Sequence, residues 1–211
     1  MEDEKVPTAS ISMDLVVGPT LTEISKNDKA TIQLLRTAFQ KAERENPGFT
    51  QNFITGVCEA SSTGINVTET ILLMSALPCA EYELTRPEAE FQILNQRATH
   101  LKMILSRIPQ EINNRSQFLQ TIKGIAGAIK ELLDAINELH RSYPDMGRMK
   151  DYKRALDLQK RTFVKHSKVF SDTLKKYFRD ARTDDVFVSA NRLINQTNTL
   201  LRLFRMASGQ P

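Results

Sequence analysis

The sequence predicts an all-α fold, and three observations carry the prediction. Between residues 91 and 204, apolar residues recur at spacings of three and four in four long segments. Turn and capping signals separate those segments at Pro109, "YPDMG" (143–147) and "RTDD" (182–185). No stretch of the 211 residues shows the strict alternation of a half-buried strand. Four such helices joined by short breaks read as an up-down-up-down bundle.

Residues 1–9 read as a disordered tail. "KATIQLLRTAFQKAERE" (29–45) places Ile32, Leu35, Phe39 and Ala42 on one stripe, and "NPG" (46–48) stops it. "TQNFITGVCEA" (50–60) is a second short amphipathic helix carrying Phe53, Ile54, Val57 and Cys58. Helices this short and one-sided hardly bury a core alone, so residues 10–60 are expected to pair with another chain. "NVTE" (66–69) caps a further helix inside a 61–87 linker. Thr85 and Glu88 have capping-box spacing, and Pro87 suits a first turn; the bundle then occupies 88–211. Its predicted stripes are Phe91, Leu94, Ala98, Leu101, Leu105 and Ile108; then Ile112, Leu119, Ile122, Ala126, Ile129, Leu133 and Ile136. The third runs Leu156, Phe163, Ser167, Phe170, Leu174 and Tyr177, and the fourth Phe187, Ala190, Ile194, Thr197, Leu201 and Phe204.

A net charge of +4 hides an asymmetry. Residues 1–90 hold 7 Lys/Arg against 14 Asp/Glu, and residues 91–211 hold 22 against 11. The two halves therefore suit different partners. No apolar run is long enough to span a bilayer, and "MEDEKVPTAS" lacks the features of a signal peptide. Two cysteines, Cys58 and Cys79, are expected to be reduced in a cytosolic protein. His100, His140 and His166 have no metal-ligand spacing, and "GIAGAIK" lacks the phosphate-loop pattern. Neither an enzyme, a metal nor a cofactor is expected.

One segment is harder to explain as packing alone. "TIKGIAGAIK" (121–130) carries Gly124 and Gly127 inside a helix, where each costs about 1 kcal/mol relative to alanine. On a helical wheel Lys123, Ala126, Gly127 and Lys130 fall along one edge of a stripe centred near Ile122 and Ile129. Val164, Lys168, Ser171 and Lys175 repeat the arrangement on the next helix. Antiparallel neighbours would turn both edges toward one groove, with small residues on its floor and lysines on its rims. Such a groove suits an amphipathic helix with leucines beneath and carboxylates outside. The competing reading makes the lysines a solvated face and the glycines a device for close packing.

"ENPGFTQ", "FLQTIKGIAGAIKELLDAIN", "FVKHSKVFSDTLKKYF" and "VFVSANRLINQTN" resemble the programmed cell death protein 10 family, known also for its link to cerebral cavernous malformation, from about Ala30 to Phe204. The resemblance implies a non-enzymatic adaptor with an N-terminal helical dimerisation domain and a C-terminal focal-adhesion-targeting-like four-helix bundle. It implies pairing with group III germinal-centre kinases, and binding of the malformation scaffold protein, paxillin-type LD motifs and striatins. Cytoplasmic signalling at junctions, the cytoskeleton and the Golgi, recruitment to the plasma membrane, and roles in apoptosis and angiogenesis belong to the same expectation. The family's helix groove falls on Lys123, Ala126, Lys130, Val164, Ser167, Lys168, Ser171 and Lys175, and its dimer face on Leu35, Ala38, Val57 and Cys58. The Val57–Cys58 pair is smaller than is usual there, and Gly124 and Gly127 replace more helix-favouring residues. A second reading is a phosphoinositide-binding module, because residues 141–182 carry 13 Lys/Arg against 5 Asp/Glu. Nucleic acid ranks last, since charge alone supports it.

Overall fold

The computed structural model describes residues 10–25, 28–79, 82–144 and 149–209. The expected tail at 1–9 and most of the "YPDMG" turn lie outside the described residues. Everything regular among the described residues is helical. A π-helical turn, Met13–Val17, leads into α1 (Gly18–Ile24), followed by α2 (Lys29–Glu45), α3 (Phe49–Ala60) and α4 (Val67–Met74). The long helices are α5 (Ala89–Ser106), α7 (Arg115–Ser142), α8 (Met149–Asp180) and α9 (Thr183–Ala207), with a single turn, α6 (Ile108–Glu111), between the first two.

The caps explain the boundaries. Asp28 accepts from Thr31 N at 3.1 Å to open α2, and Asn66 accepts from Glu69 N at 3.1 Å to open α4, as "NVTE" predicts. Asn114 does the same for α7, from Gln117 N at 3.2 Å. Gly48, at φ 95°, has no side chain with which to cap α3. The buried Glu43 replaces it, its two carboxylate oxygens accepting from Gly48 N and Thr50 N at 2.8 Å each. The Thr85 capping box does not form: α5 starts at Ala89 with Glu88 as its N-cap. The Glu88 carboxylate is held by the Arg86 guanidinium, whose Nε lies 3.0 Å away, and so does not cap through its side chain.

In the bundle, α5 packs closely on α7, α8 on α9, and α5 also on α9. Between α5 and α7, Arg97 meets Glu131 at 2.9 Å while Ile104 lies beside Gly124; between α8 and α9, Gln159 meets Gln196 at 2.7 Å while His166 meets the Arg192 backbone, so each pair is antiparallel. The core holds Phe91, Phe118, Phe163 and Phe204, all fully buried. Each contributes roughly 1.5–3 kcal/mol on removal from water. Every predicted residue of the first and fourth stripes is buried. On α8, Leu156, Phe163, Phe170 and Leu174 are buried, whereas Ser167 and Tyr177 are half-buried.

The second stripe is corrected. On α7 the buried line is Phe118, Thr121, Ile125, Ala128, Leu132, Ala135, Ile136 and Leu139. Leu119 and Ala126 are exposed, and Ile122, Ile129 and Leu133 are only half-buried. The helix has enough isoleucine, leucine and alanine for two overlapping stripes, and Phe118, the largest side chain, selects which one turns inward.

The segment between the halves is packed, too. Val67, Ile71 and Leu72 of α4 are buried, α4 lies against α9 and α5, and Tyr82 and Leu84 follow into the same core. The N-terminal residues reach it as well: Ile11 is buried in the bundle's core, and its backbone N–H donates to Asn195 Oδ1 at 2.9 Å.

Candidate functional site

Two surfaces carry the residues that the sequence singles out. The first is the edge between α7 and α8. Unlike the other neighbouring pairs of the bundle, these two helices make few or no close backbone approaches among the described residues. They are nevertheless joined at both ends. Phe118 packs edge-on against Tyr177 with centroids 5.6 Å apart and against Phe178 at 6.1 Å. The Tyr177 hydroxyl donates to Ile112 O at 3.1 Å. At the far end the Lys160 ammonium donates to Asn137 Oδ1. Side chains hold the helices together without bringing their backbones into contact.

Those anchors show which flank of each helix faces the gap. At about 100° per residue, Ala126, Lys130 and Lys123 lie within roughly 40° of Asn137 on α7. On α8, Ser167, Ser171, Val164, Lys175 and Lys168 lie within roughly 80° of Lys160. Val164 and Ser167 are half-buried, and Ala126, Ser171 and the four lysines are exposed. Lys175 is paired with Asp172 on its own helix at 2.9 Å, which holds that carboxyl below its usual range. Lys123, Lys130 and Lys168 make no ion pair among the described residues. Leu119 and Phe178, exposed apolar residues, lie at the Phe118 end. Helical periodicity assigns Leu119 to the core, so this apolar end was not legible as part of a groove.

The two glycines take different positions, and only Gly127 is read onto that edge. A Cβ at Gly124 would sit 3.7 Å from Ile104 Cδ1, on the flank facing α5. A Cβ at Gly127 would meet nothing within 4 Å. Gly127 lies on the outer crest, beyond Lys123. It therefore does not serve close packing inside the bundle.

The second surface lies on α2 and α3. Ile32 and Phe39 turn inward, leaving Leu34, Leu35 and Ala38 exposed. On α3 the exposed line is Phe49, Phe53 and Val57, with Phe53 stacked beside Phe49 and edge-on to Phe39 at 5.3 Å. Leu35 is 42% and Val57 49% exposed, large values for aliphatic residues on amphipathic helices. Cys58 faces the other way, half-buried against the main core. The exposed aromatics of α3 were missed as surface residues because their spacing is equally that of a buried stripe.

Among the described residues no group of three or more His, Cys, Asp or Glu could hold a metal ion, and no helix is long and apolar enough to cross a membrane.

Comparison with known proteins places these surfaces in context. Residues 5–64 match the family model described as the dimerisation domain of programmed cell death protein 10, and residues 65–157 match that of its C-terminal part. The boundary falls just before α4. A Caenorhabditis elegans programmed cell death protein 10 homolog is 34% identical over 214 residues, covering 96% of each chain. With its N-terminal dimerisation domain and all-helical C-terminal domain, the chain belongs to the programmed cell death protein 10 family.

Proposed function

We propose that this protein is a non-enzymatic adaptor that pairs through the α2–α3 surface and receives an acidic amphipathic helix between α7 and α8. The open α7–α8 edge is the observation that carries the second half of this reading. A groove bridged at both ends by side chains, with Ala126 and Ser171 exposed along it and Lys123, Lys130 and Lys168 without ion pairs among the described residues, fits leucines below and carboxylates above. The family resemblance supplies the candidates: paxillin-type LD motifs, the malformation scaffold protein and striatins at the groove, and group III germinal-centre kinases at the α2–α3 surface. The working place proposed is the cytoplasm, with recruitment to Golgi and plasma membrane.

Titration calorimetry of the full chain with a leucine–aspartate peptide tests the groove. Exposed ion pairs contribute about 0–1 kcal/mol each, so single lysine-to-alanine changes are expected to have modest effects. Combining Lys130→Glu, Lys175→Glu and Ala126→Asp brings repulsion to both rims and a charge to the floor. Binding is expected to disappear, and wild-type affinity in that variant would remove the groove from the reading.

A second reading, recruitment to phosphoinositide membranes, is favoured by the cleft of about 270 Å³ at the α8–α9 turn, where Lys176, Arg179 and Arg182 gather with Asp180 and Asp185. Flotation with vesicles containing or lacking phosphoinositide, using a Lys176→Glu/Arg179→Glu variant, separates it from peptide binding.

A further inference from the structure

A further polar cluster shares no residue with either docking surface. Where residues 11–15, the end of α4 and the segment after it meet α5 and α9, they enclose a cavity of about 10 Å³. That is room for one water-sized group. Its lining includes Cys79, Lys102, Tyr82, Asp14 and Asn198. Tyr82 is 2% exposed and Asn198 4%, yet among the described residues neither the Tyr82 hydroxyl nor Asn198 Oδ1 has a hydrogen-bond partner. Buried polar atoms left without partners are costly, so two at one small cavity call for a group to bind. Lys102, 7% exposed, has its ammonium 6.0 Å from the centroid of the Tyr82 ring, and the Arg202 guanidinium lies 5.7 Å from the same centroid.

We propose that Cys79 is a peroxide-sensitive modification site whose sulfenic oxygen occupies this cavity. The thiolate sulfur attacks hydrogen peroxide, forming an S–O bond as the O–O bond breaks. Sulfur loses two electrons, and the distal oxygen leaves as hydroxide, which solvent protonates. The buried Lys102 cation, with Arg202 behind Tyr82, favours the anionic nucleophile; the Asp14 carboxylate opposes it. Burial depresses the Lys102 ammonium and a Cys79 thiolate counters that shift, so each charge supports the other. The Tyr82 hydroxyl can then donate to the new oxygen. Cys58 is an internal comparison: it too is half-buried and reduced, but it lines no such cavity.

The test uses the reduced full-length protein, hydrogen peroxide and a dimedone-type probe, with both cysteine peptides followed by mass spectrometry. Cys79 is expected to acquire the sulfenate adduct about tenfold faster than Cys58. Lys102→Met should slow Cys79 alone and move its curve of iodoacetamide alkylation against pH to higher pH, whereas Lys102→Arg should preserve both. If Lys102→Met does not fold, the wild-type comparison and the Arg variant still decide. Equal labelling of the two cysteines, or a folded Lys102→Met variant with an unshifted curve, would overturn the proposal.

Discussion

At Gly127 the backbone is helical, the side-chain position opens to solvent, and no neighbour lies where a methyl group would go. Alanine there reduces the conformational freedom of the unfolded chain without a steric cost. Gly127→Ala is therefore expected to stabilise the protein by up to ~1 kcal/mol, read from thermal or denaturant melts. Peptide affinity distinguishes two consequences of the same substitution. A ligand helix confined between the lysine rims leaves affinity unchanged, whereas one lying over the crest of α7 loses it. Gly124→Ala places its methyl 3.7 Å from Ile104, an ordinary van der Waals contact, and should gain a similar amount. Glu43 is the contrasting residue: its carboxylate satisfies two backbone donors at the start of α3, so truncation leaves a helix terminus uncapped where Gly48 cannot help.

Among the elements, α7 and α8 show what periodicity can and cannot resolve. On α8 the widely spaced phenylalanines mark one line, and Phe163 and Phe170 are buried as predicted. On α7 Ile122, Ile125, Ile129 and Leu132 permit two lines about 60° apart, and only tertiary contact chooses between them. The exposure of Lys123 and Lys130 was legible because their flank stays outward on either line, whereas periodicity also counts Ala126 in a core stripe and the structure leaves it exposed. The cavity around Cys79 was not legible, because it joins residues 11–15 to α5 and α9 across the whole sequence. The same long helices carry an acid sensitivity. Burial holds the His140 imidazole below its ordinary value of 6.5, with Asp157 opposing and Lys160 and Lys153 adding to the shift. Burial likewise lowers His166. Because the folded values lie below the unfolded ones, the unfolded chain binds more protons as pH falls through about 6.5, and stability declines there. The decline is complete once pH lies below the folded values. Melting temperature is expected to drop between about pH 7.5 and 5.5, and a His140→Gln/His166→Gln variant should flatten that slope. An unchanged slope in the variant would assign the acid response to other groups.

For the whole molecule, the decisive property is that it divides its apolar surface unequally. The long helices bury their aromatic residues around one core, and α4 and Ile11 join it. In contrast, α2 and α3 keep Leu34, Leu35, Phe49, Phe53 and Val57 at the surface of the isolated chain. Fully covering such a side chain is worth roughly 1.5–3 kcal/mol, so a second chain seated there gains enough to offset part of the entropy of association. The dimerisation-domain match over residues 5–64 covers the same helices. Leu35→Asp with Val57→Asp would place two carboxylates within that contact, each lacking a partner once water is excluded, at a cost of several kcal/mol. In the monomer both positions face solvent, so the same substitutions should leave helical circular dichroism and the melting of the bundle nearly unchanged. Light scattering of the variant is expected to give a monomer at concentrations where the wild type is dimeric. Peptide binding at the α7–α8 edge should persist in that monomer, since none of its residues comes from α2 or α3. A dimer that survives both substitutions would place the interface away from Leu35 and Val57. Loss of peptide binding on monomerisation would instead show that the groove depends on the paired state.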